Sequence, residues 1–500
     1  MNESKLLADL IALKLERSGE EALHQQVYVV IREAIINGVL APASKIPSSR
    51  SLASSLKLSR TTISTALDQL FSEGFLITRQ GDGTYIADLK FTSQSSKNLD
   101  GHVFPASQAK NPPSRRLEGT PLKSSNIVFS GNQLLPGFVD HSLFPYGVWN
   151  KLYKKHSLQI GDALKQFTSG NGFFPLCQSI ARHLAISRGI NVRPEQVFIT
   201  HGASQSVSLI AKTVSQPGDS AWIENPGYPM IAETLEMEGL KPINTEIDHH
   251  GLNPSTEQIR DSSPRLICTS TSYQFPLGYT MPISRRLKLI DIAKAKDSWL
   301  LEDDYDGEFR YKGNPIPAMF GLENNERTLY MGTFSKTLSL SLRMSFVVVP
   351  LALVESFQAI YPMLGNFSSV VSQAALAELI SSGRFAKHVS NMRKIYGRRR
   401  RALEQALVGN HINHQEAFNP GGLHIVAELQ GKDVTDSEIM EAISDTDISC
   451  IPLSFLYREP VRAKQGFLLG FTSCDEDKIL NAVSILQSAV QQRGATLSPL

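Results

Sequence analysis

A small winged helix-turn-helix joined by a polar tether to a larger α/β domain with a mostly parallel sheet is the architecture this 500-residue sequence predicts. Three observations lead there. Residues 21–88 carry signals in the order helix, helix, turn, helix, hairpin. Between Leu89 and Ser125 the composition turns to Ser, Asn, Gln, Lys and Pro, and Pro112-Pro113 interrupts any regular element. From there on, apolar runs alternate with amphipathic stretches. The expected segments are an N-terminal extension (1–20), the winged helix-turn-helix (21–88), a flexible linker (89–125) and the α/β domain (126–500).

Ala22 to Asn37 places Val27, Val30, Ile31, Ala34 and Ile35 at helical spacing and stops at Gly38, a natural C-terminal cap. Ser48 or Ser49 can cap a short helix through Leu56. After the turn Lys57-Leu58, Ser59 can cap a longer helix whose inward face is Ile63, Ala66 or Leu67, Leu70 and Phe71, closed by Gly74. Phe75 to Arg79 and Thr84 to Ala87 read as strands around Gln80-Gly81-Asp82-Gly83, whose glycines permit a tight hairpin. In the larger domain, Gln196 to Thr200, Ser220 to Glu224, Arg265 to Thr269, Ser298 to Asp303, Thr328 to Met331 and Phe346 to Val349 read as buried strands. Amphipathic stretches such as Ser204 to Ser215 and Arg285 to Ala295 lie between them.

A composition of 41% hydrophobic and 20% charged residues excludes a disordered or fibrous chain. With 50 Lys plus Arg against 48 Asp plus Glu, total charge says nothing about a nucleic-acid partner, which has to be argued locally. Cys177, Cys268, Cys450 and Cys474 lie far apart, without metal-ligand spacing, and read as reduced core thiols, so no metal is expected. Asp9, Lys14 and Glu16 interrupt the N-terminal apolar residues, which no signal-peptide core tolerates. The richest apolar run, Met344 to Val354, contains Pro350 and falls short of the roughly 18 residues of a membrane helix. A cytoplasmic protein without a membrane partner is expected.

In a helix-turn-helix the second helix offers its N-terminal residues to base edges and phosphates. Here those are Ser59, Arg60, Thr61, Thr62 and Ser64. Arg60 can grip guanine bidentately, the threonines can meet phosphate or a thymine methyl, and Arg50 can clamp the backbone. Six basic against six acidic residues over Glu21 to Asp88 make no basic patch, and a small structural domain would show the same periodicity. Motifs decide between the two. Ile46-Pro47-Ser48-Ser49-Arg50-Ser51-Leu52-Ala53, Leu58-Ser59-Arg60-Thr61-Thr62, Leu70-Phe71-Ser72-Glu73-Gly74-Phe75-Leu76 and Gly81-Asp82-Gly83-Thr84-Tyr85 resemble the DNA-binding domain of the GntR family of bacterial transcription regulators. The resemblance implies operator contacts from Arg50, Arg60, Thr61, Thr62 and the wing around Gly81.

Gly332-Thr333-Phe334-Ser335-Lys336-Thr337 follows an expected strand and ends in a lone lysine among small hydroxyls, with Arg343 seven positions on. Such a loop suits a phosphorylated aldehyde: the lysine can form a Schiff base while Thr333, Ser335 and Arg343 donate to the phosphate. Asp303, within Glu302-Asp303-Asp304-Tyr305 at a strand end, suits a pyridine nitrogen, and Tyr305 a phenolic oxygen; Asp304 points away. Thr200-His201-Gly202-Ala203-Ser204 can cradle phosphate at a helix N-terminus, and Tyr228 in Asn225-Pro226-Gly227-Tyr228-Pro229 can stack on a flat ring.

Together these phrases, with Gln274-Phe275-Pro276 and Glu302-Asp303-Asp304-Tyr305-Asp306, resemble a fold-type I aminotransferase domain and specifically the MocR subfamily of GntR regulators. The resemblance implies a smaller α+β subdomain beside the parallel sheet and pyridoxal 5'-phosphate as cofactor. It also implies Lys336 as the Schiff-base and catalytic lysine, Asp303, Tyr305 and Tyr228 around the ring, Gly202, Ala203, Ser204, Thr333, Ser335 and Arg343 as the phosphate cup, and Tyr273 and Gln274 beside the ring. A homodimeric regulator that reads operator DNA and senses the cofactor, or an amino compound, follows as the expected function. Its rival is an aminotransferase with an appended DNA-binding domain.

The chain departs from the aminotransferase pattern in two places. Where an arginine for the substrate carboxylate usually precedes the last strand, Gly466 to Phe471 has Gln465 just upstream, with Arg462 and Lys464 nearby. Where a partner subunit often lends a tyrosine, this chain has Ser169 and Asn171. The charge run Arg393-Lys394 and Arg398 to Arg401 reads as a solvated helix face.

Overall fold

Helical spacing of apolar residues builds the N-terminal core, and strand runs buried on both faces build the C-terminal one. The computed structural model describes residues 3–17, 21–79, 82–88, 133–161, 167–168, 170–313, 316–322, 326–365, 368–408, 421–431 and 434–499. They fall into two units, 1–115 and 116–500.

The first unit runs α1 (Glu3–Lys14), α2 (Leu23–Ile36), β1 (Lys45–Ile46), α3 (Ser49–Leu56), α4 (Arg60–Ser72), β2 (Leu76–Arg79) and β3 (Gly83–Ile86). Ser48 Oγ accepts the Ser51 N–H at 3.2 Å and Ser59 Oγ the Thr62 N–H at 3.0 Å, so each helix of the pair starts on a serine cap. Lys57, at φ 50°, makes the left-handed turn between them. Val27, Ile31, Leu52, Ile63, Ala66, Leu67 and Leu70 are buried in one core, with Phe71 at its margin. The three strands order β1-β3-β2, all antiparallel. The N-terminal extension is part of this core: Leu7 and Ile11 of α1 are buried with α2 and α3. The expected linker lies outside the described residues.

In the second unit β4 (Phe167–Thr168) and β5 (Gly172–Phe173) form a short hairpin. The main sheet holds β6 (Val197–Thr200), β7 (Ser220–Asn225), β8 (Lys241–Asp248), β9 (Gly251–Leu252), β10 (Leu266–Thr269), β11 (Trp299–Asp304), β12 (Thr328–Thr333) and β13 (Ser345–Val348), in the order β6-β13-β12-β11-β10-β7-β8-β9. The run β8-β7-β10-β11-β12 is parallel, and β13 is antiparallel to both β12 and β6. Helices Ala203–Val214 and Ile283–Lys296 occupy the connections expected for them. Strand β8 is polar along most of its length, which hid it from an apolar-run reading.

A smaller α+β part follows: β14 (His424–Gln430), β15 (Ile451–Pro452), β16 (Gly466–Gly470) and β17 (Thr496–Pro499), antiparallel in the order β15-β16-β14-β17. Helices Arg384–Val408 and Glu476–Gln491 pack against it. Residues 133–140 run across this part as a strap. Gln133 bridges Ile448, the Gly470 N–H donates to Leu134 O at 2.7 Å, and Arg399 reaches Asp140 at 2.7 Å. The charge run is therefore only partly a solvated face, because Arg399 is buried on Asp140 and the Thr472 carbonyl, and Arg400 is buried on Glu404. All four cysteines are buried and free. Among the described residues no helix is long and apolar enough to cross a membrane.

Leu70 is fully buried at the centre of the N-terminal core. Leu70→Ala is expected to destabilise this unit by about 3 kcal/mol, read as a lower midpoint of its transition in urea unfolding of the full chain.

Candidate functional site

Strand β11 is flanked on both sides by parallel neighbours, and its C-terminal end delivers a row of carboxylates into the interior. Two of them are engaged by the fold. Glu302 accepts from Thr271 Oγ1 at 2.5 Å and from the Met319 and Phe320 N–H groups at 2.8 and 2.9 Å. Asp304 accepts from Arg188 Nε at 2.6 Å and Tyr330 OH at 2.7 Å, the structural role that alternation along the strand assigns to it.

Asp303 is buried and receives no hydrogen bond among the described residues. Burial, followed by the nearby charges of Glu224 and Asp304, raises its pKa to about 8, while Lys336 works in the opposite direction. The Tyr305 hydroxyl is buried without a partner as well. Both groups are poised for something the protein itself does not supply.

Lys336 follows β12 and donates from Nζ to Gly137 O at 2.6 Å, a contact with the strap that local sequence could not foretell. Desolvation lowers its pKa, and the charges of Asp306 and Asp303 oppose that fall. Thr333 Oγ1 accepts the Ser335 N–H at 3.1 Å and the Ser345 hydroxyl at 2.9 Å, leaving its own proton free to donate. Arg343, exposed and with a left-handed φ of 46°, turns its guanidinium to Gly202, where an added Cβ would stand 3.2 Å from Nη2. Gly202 has φ 110° and caps helix Ala203–Val214, so Ala203 and Ser204 offer first-turn N–H groups beside that guanidinium. Arg343 makes no ion pair among the described residues. Loop, helix N-terminus and arginine thus present donors that could hold an anion.

Tyr228 is 42% exposed, and its ring lies 5.5 Å from that of Phe275. Phe275 also meets Tyr305 at 6.0 Å and His424 at 5.7 Å, which makes it the hub of an aromatic wall. His424, whose pKa burial pushes down to about 4, is neutral and was invisible to local sequence reading. Tyr273 and Gln274 are buried but spent on structure. Tyr273 OH donates to His424 O at 2.8 Å, and Gln274 Nε2 to Pro226 O at 3.0 Å and Glu224 Oε2 at 3.2 Å.

The basic residues near the last strand are engaged elsewhere: Arg462 with Glu246 and Glu459, Lys464 with Glu428. Asn171 donates from Nδ2 to the Pro194 and Val197 carbonyls, and Ser169 lies outside the described residues.

In the N-terminal unit, Arg50, Ser59, Arg60 and Thr61 are exposed, and Thr62 and Ser64 partly so, around the start of α4. Gly81 lies outside the described residues. The base of the hairpin is locked by Asp82, which accepts from Lys45 Nζ at 2.8 Å and Tyr85 OH at 2.6 Å, while Arg79 lies 4.2 Å over the Tyr85 ring.

Fold and pocket define a DNA-reading head on an aminotransferase-type domain. Residues 142–462 match the aminotransferase class I and II family and residues 23–86 the gntR family of bacterial regulatory proteins. The chain belongs to the MocR-type members of the gntR family, DNA-binding transcription regulators with an aminotransferase class I and II domain. It is 33% identical over 481 residues to the probable rhizopine catabolism regulatory protein MocR of Rhizobium meliloti, covering 95% of both chains. To the HTH-type pyridoxine biosynthesis transcriptional regulator PdxR of Corynebacterium glutamicum it is 29% identical, over 97% of this chain and 99% of that one. The fold is shared with kynurenine aminotransferase of Pyrococcus horikoshii at a TM-score of 0.63 and 24% identity, covering 77% of this chain and 96% of that one. The α-aminoadipate aminotransferase LysN of Thermus thermophilus gives 0.64 and 20%, over 75% and 98%.

The Asp303 carboxyl, raised to about 8, takes up a proton on folding at any pH between the unfolded value and about 8. Its contribution is therefore fully present in acid and is lost as pH rises towards 8. Asp303→Asn is expected to flatten the stability–pH curve of the cofactor-free protein between pH ~5 and ~8 by roughly 1 kcal/mol per unit, measured by thermal or urea unfolding across that range.

Proposed function

We propose that the C-terminal domain binds pyridoxal 5'-phosphate on Lys336 and that its occupancy, by the cofactor alone or with an amino compound, sets the affinity of the winged helix for operator DNA. The observation that carries this reading is the set of groups gathered at the C-terminal ends of β6, β11 and β12: a desolvated lysine, a buried carboxylate, an unpartnered tyrosine hydroxyl and an arginine over a helix N-terminus. Each is complementary to a different part of the cofactor, and the lysine meets only a neutral carbonyl, that of Gly137. Two similar proteins point the same way: PdxR is a pyridoxine biosynthesis regulator, and the structure of LysN is a complex with N-(5'-phosphopyridoxyl)-L-leucine.

Pyridoxal 5'-phosphate supplies, when bound, an aldehyde that reacts with amines and a pyridine ring that withdraws electrons while its nitrogen is protonated. Lys336, its ammonium destabilised by burial, provides a neutral nucleophilic amine nearer to physiological pH than a free lysine does. Asp303 holds the ring-nitrogen proton, Tyr305 donates its free hydroxyl to the phenolic oxygen, and Tyr228 covers the ring. Thr333, Ser335, Arg343 and the first-turn N–H groups of Ala203 and Ser204, on the Gly202 cap, hold the phosphate. Tyr273 and Gln274 act one step away, by fixing His424 and the 224–226 corner.

Ser59 caps α4 so that Arg60, Thr61, Thr62 and Ser64 enter the major groove, with Arg50 on the backbone and the wing at Gly81 alongside. One such helix reads one half-site, so a homodimer in the cytoplasm, with two heads on a repeated or palindromic operator, is the working form. Regulation requires only that the ligand favour one arrangement of the heads over another.

Adding pyridoxal 5'-phosphate to purified protein is expected to produce a visible absorption band that Lys336→Ala lacks, and to change operator affinity in the wild type alone. A band without altered affinity would leave an enzyme or a co-ligand, and no band would remove the cofactor assignment. Arg60→Ala is expected to weaken operator binding by about 1–3 kcal/mol, roughly tenfold or more, in gel-shift titration, with the spectrum unchanged.

A further inference from the structure

The basic run of helix Arg384–Val408 is not one surface. Arg393 turns to Glu308 at 3.3 Å, and Arg399 and Arg400 are buried on Asp140 and Glu404. What remains, Arg384, Lys387, Asn391, Lys394 and Arg398, is exposed and falls at steps of three or four residues, which is one stripe of the helix. At 1.5 Å per residue that stripe is about 21 Å long. It lines a trough together with Pro145, Val148 and Lys151 at the start of helix Tyr146–Leu158. Five cations thus face the trough, and among the described residues no Asp or Glu lines it. Arg398 alone of the five forms an ion pair among the described residues, with Glu476 at 3.5 Å. Glu378, on the adjoining helix Val370–Ser381, is held by Lys155 and His156.

We infer that this trough is a second DNA-contact surface, which takes the phosphate backbone of duplex flanking the base pairs that the winged helix reads. Its charges are strung in a row instead of converging on a point, so they suit a repeating anion and not a single small one. Solvated Lys and Arg side chains neutralise phosphates without reading base edges. The whole chain carries a formal charge of only +2, so a row of five cations without an acid is a local concentration that the total conceals. Duplex DNA is the polyanion that a regulator of this family already engages. Each phosphate contact releases condensed counter-ions, so the trough adds salt-dependent affinity and no sequence specificity. The inference is independent of the cofactor reading.

The test is a DNA-binding titration of the full-length protein, by fluorescence anisotropy across a series of KCl concentrations, on two duplexes. One is confined to the base pairs whose substitution abolishes binding, and the other extends several helical turns beyond them on each side. Combining Arg384→Gln, Lys387→Gln and Lys394→Gln is expected to weaken binding to the long duplex about tenfold or more, and to make log K against log[KCl] shallower by roughly 2–3 units. The short duplex is expected to bind as in the wild type. Combining Arg384→Lys, Lys387→Arg and Lys394→Arg, which keeps the charges, is expected to stay near wild type on both. An unchanged affinity and slope on the long duplex overturns the inference, and so does an equal loss on both duplexes, which would place the effect in the head. Unchanged DNA binding with lost binding to polyglutamate would overturn it in favour of an acidic protein partner. Should the triple variant not fold, Lys387→Gln alone is expected to lower the slope on the long duplex by about one unit.

Discussion

Four carboxylates on five consecutive residues, Glu302 to Asp306, leave the end of a strand that has neighbours on both sides, and a dry interior cannot hold them unless each finds a partner. Much of the C-terminal unit is arranged around that demand. The loop at 319–320 turns two backbone N–H groups onto Glu302. Helix Phe174–Ser187 ends where Arg188 can reach Asp304 Oδ2, and Tyr330 on the adjoining strand adds a second donor to the same oxygen. With those two engaged by the fold, Asp303 and Asp306 are left without a side-chain hydrogen bond among the described residues.

Strain of this kind is concentrated in one place. Tyr305 lies between the two free carboxylates, and its own hydroxyl is unsatisfied. Around it the aromatic wall centred on Phe275 keeps water scarce, which raises the energetic worth of every charge enclosed there. A site so composed is destabilising when empty and gains from being filled.

The head and the central strands were legible because their signals are local: a serine before an apolar period, a glycine after it, a β-branched run bounded by turns. Ser59, Ile63, Leu70 and the strand leading to Lys336 are of that type. Lys336, Asp303 and the residues 200–204 lie at strand ends, where the short phrases placed them. What escaped depends on residues far apart in the chain. His424 meets the Gln274-Phe275-Pro276 turn across 148 residues, Gly137 meets Lys336 across 199, and Arg399 is buried by Asp140 across 259. Nothing within a window of ten residues distinguishes Arg399 from the solvated arginines beside it. Leu7 and Ile11 were overlooked for another reason: the charges that rule out a signal peptide also disguised a helix with an apolar edge.

The Gly137 carbonyl has Lys336 as its donor, and the same strap is pinned at Gln133, Leu134 and Asp140 to the small antiparallel sheet and to the long helix beneath it. A nitrogen engaged in a covalent bond has fewer protons to give, so whatever captures this amine also withdraws a hydrogen bond from that stretch of backbone. The state of one nitrogen atom thus bears on how firmly residues 133–140 are held against the larger domain.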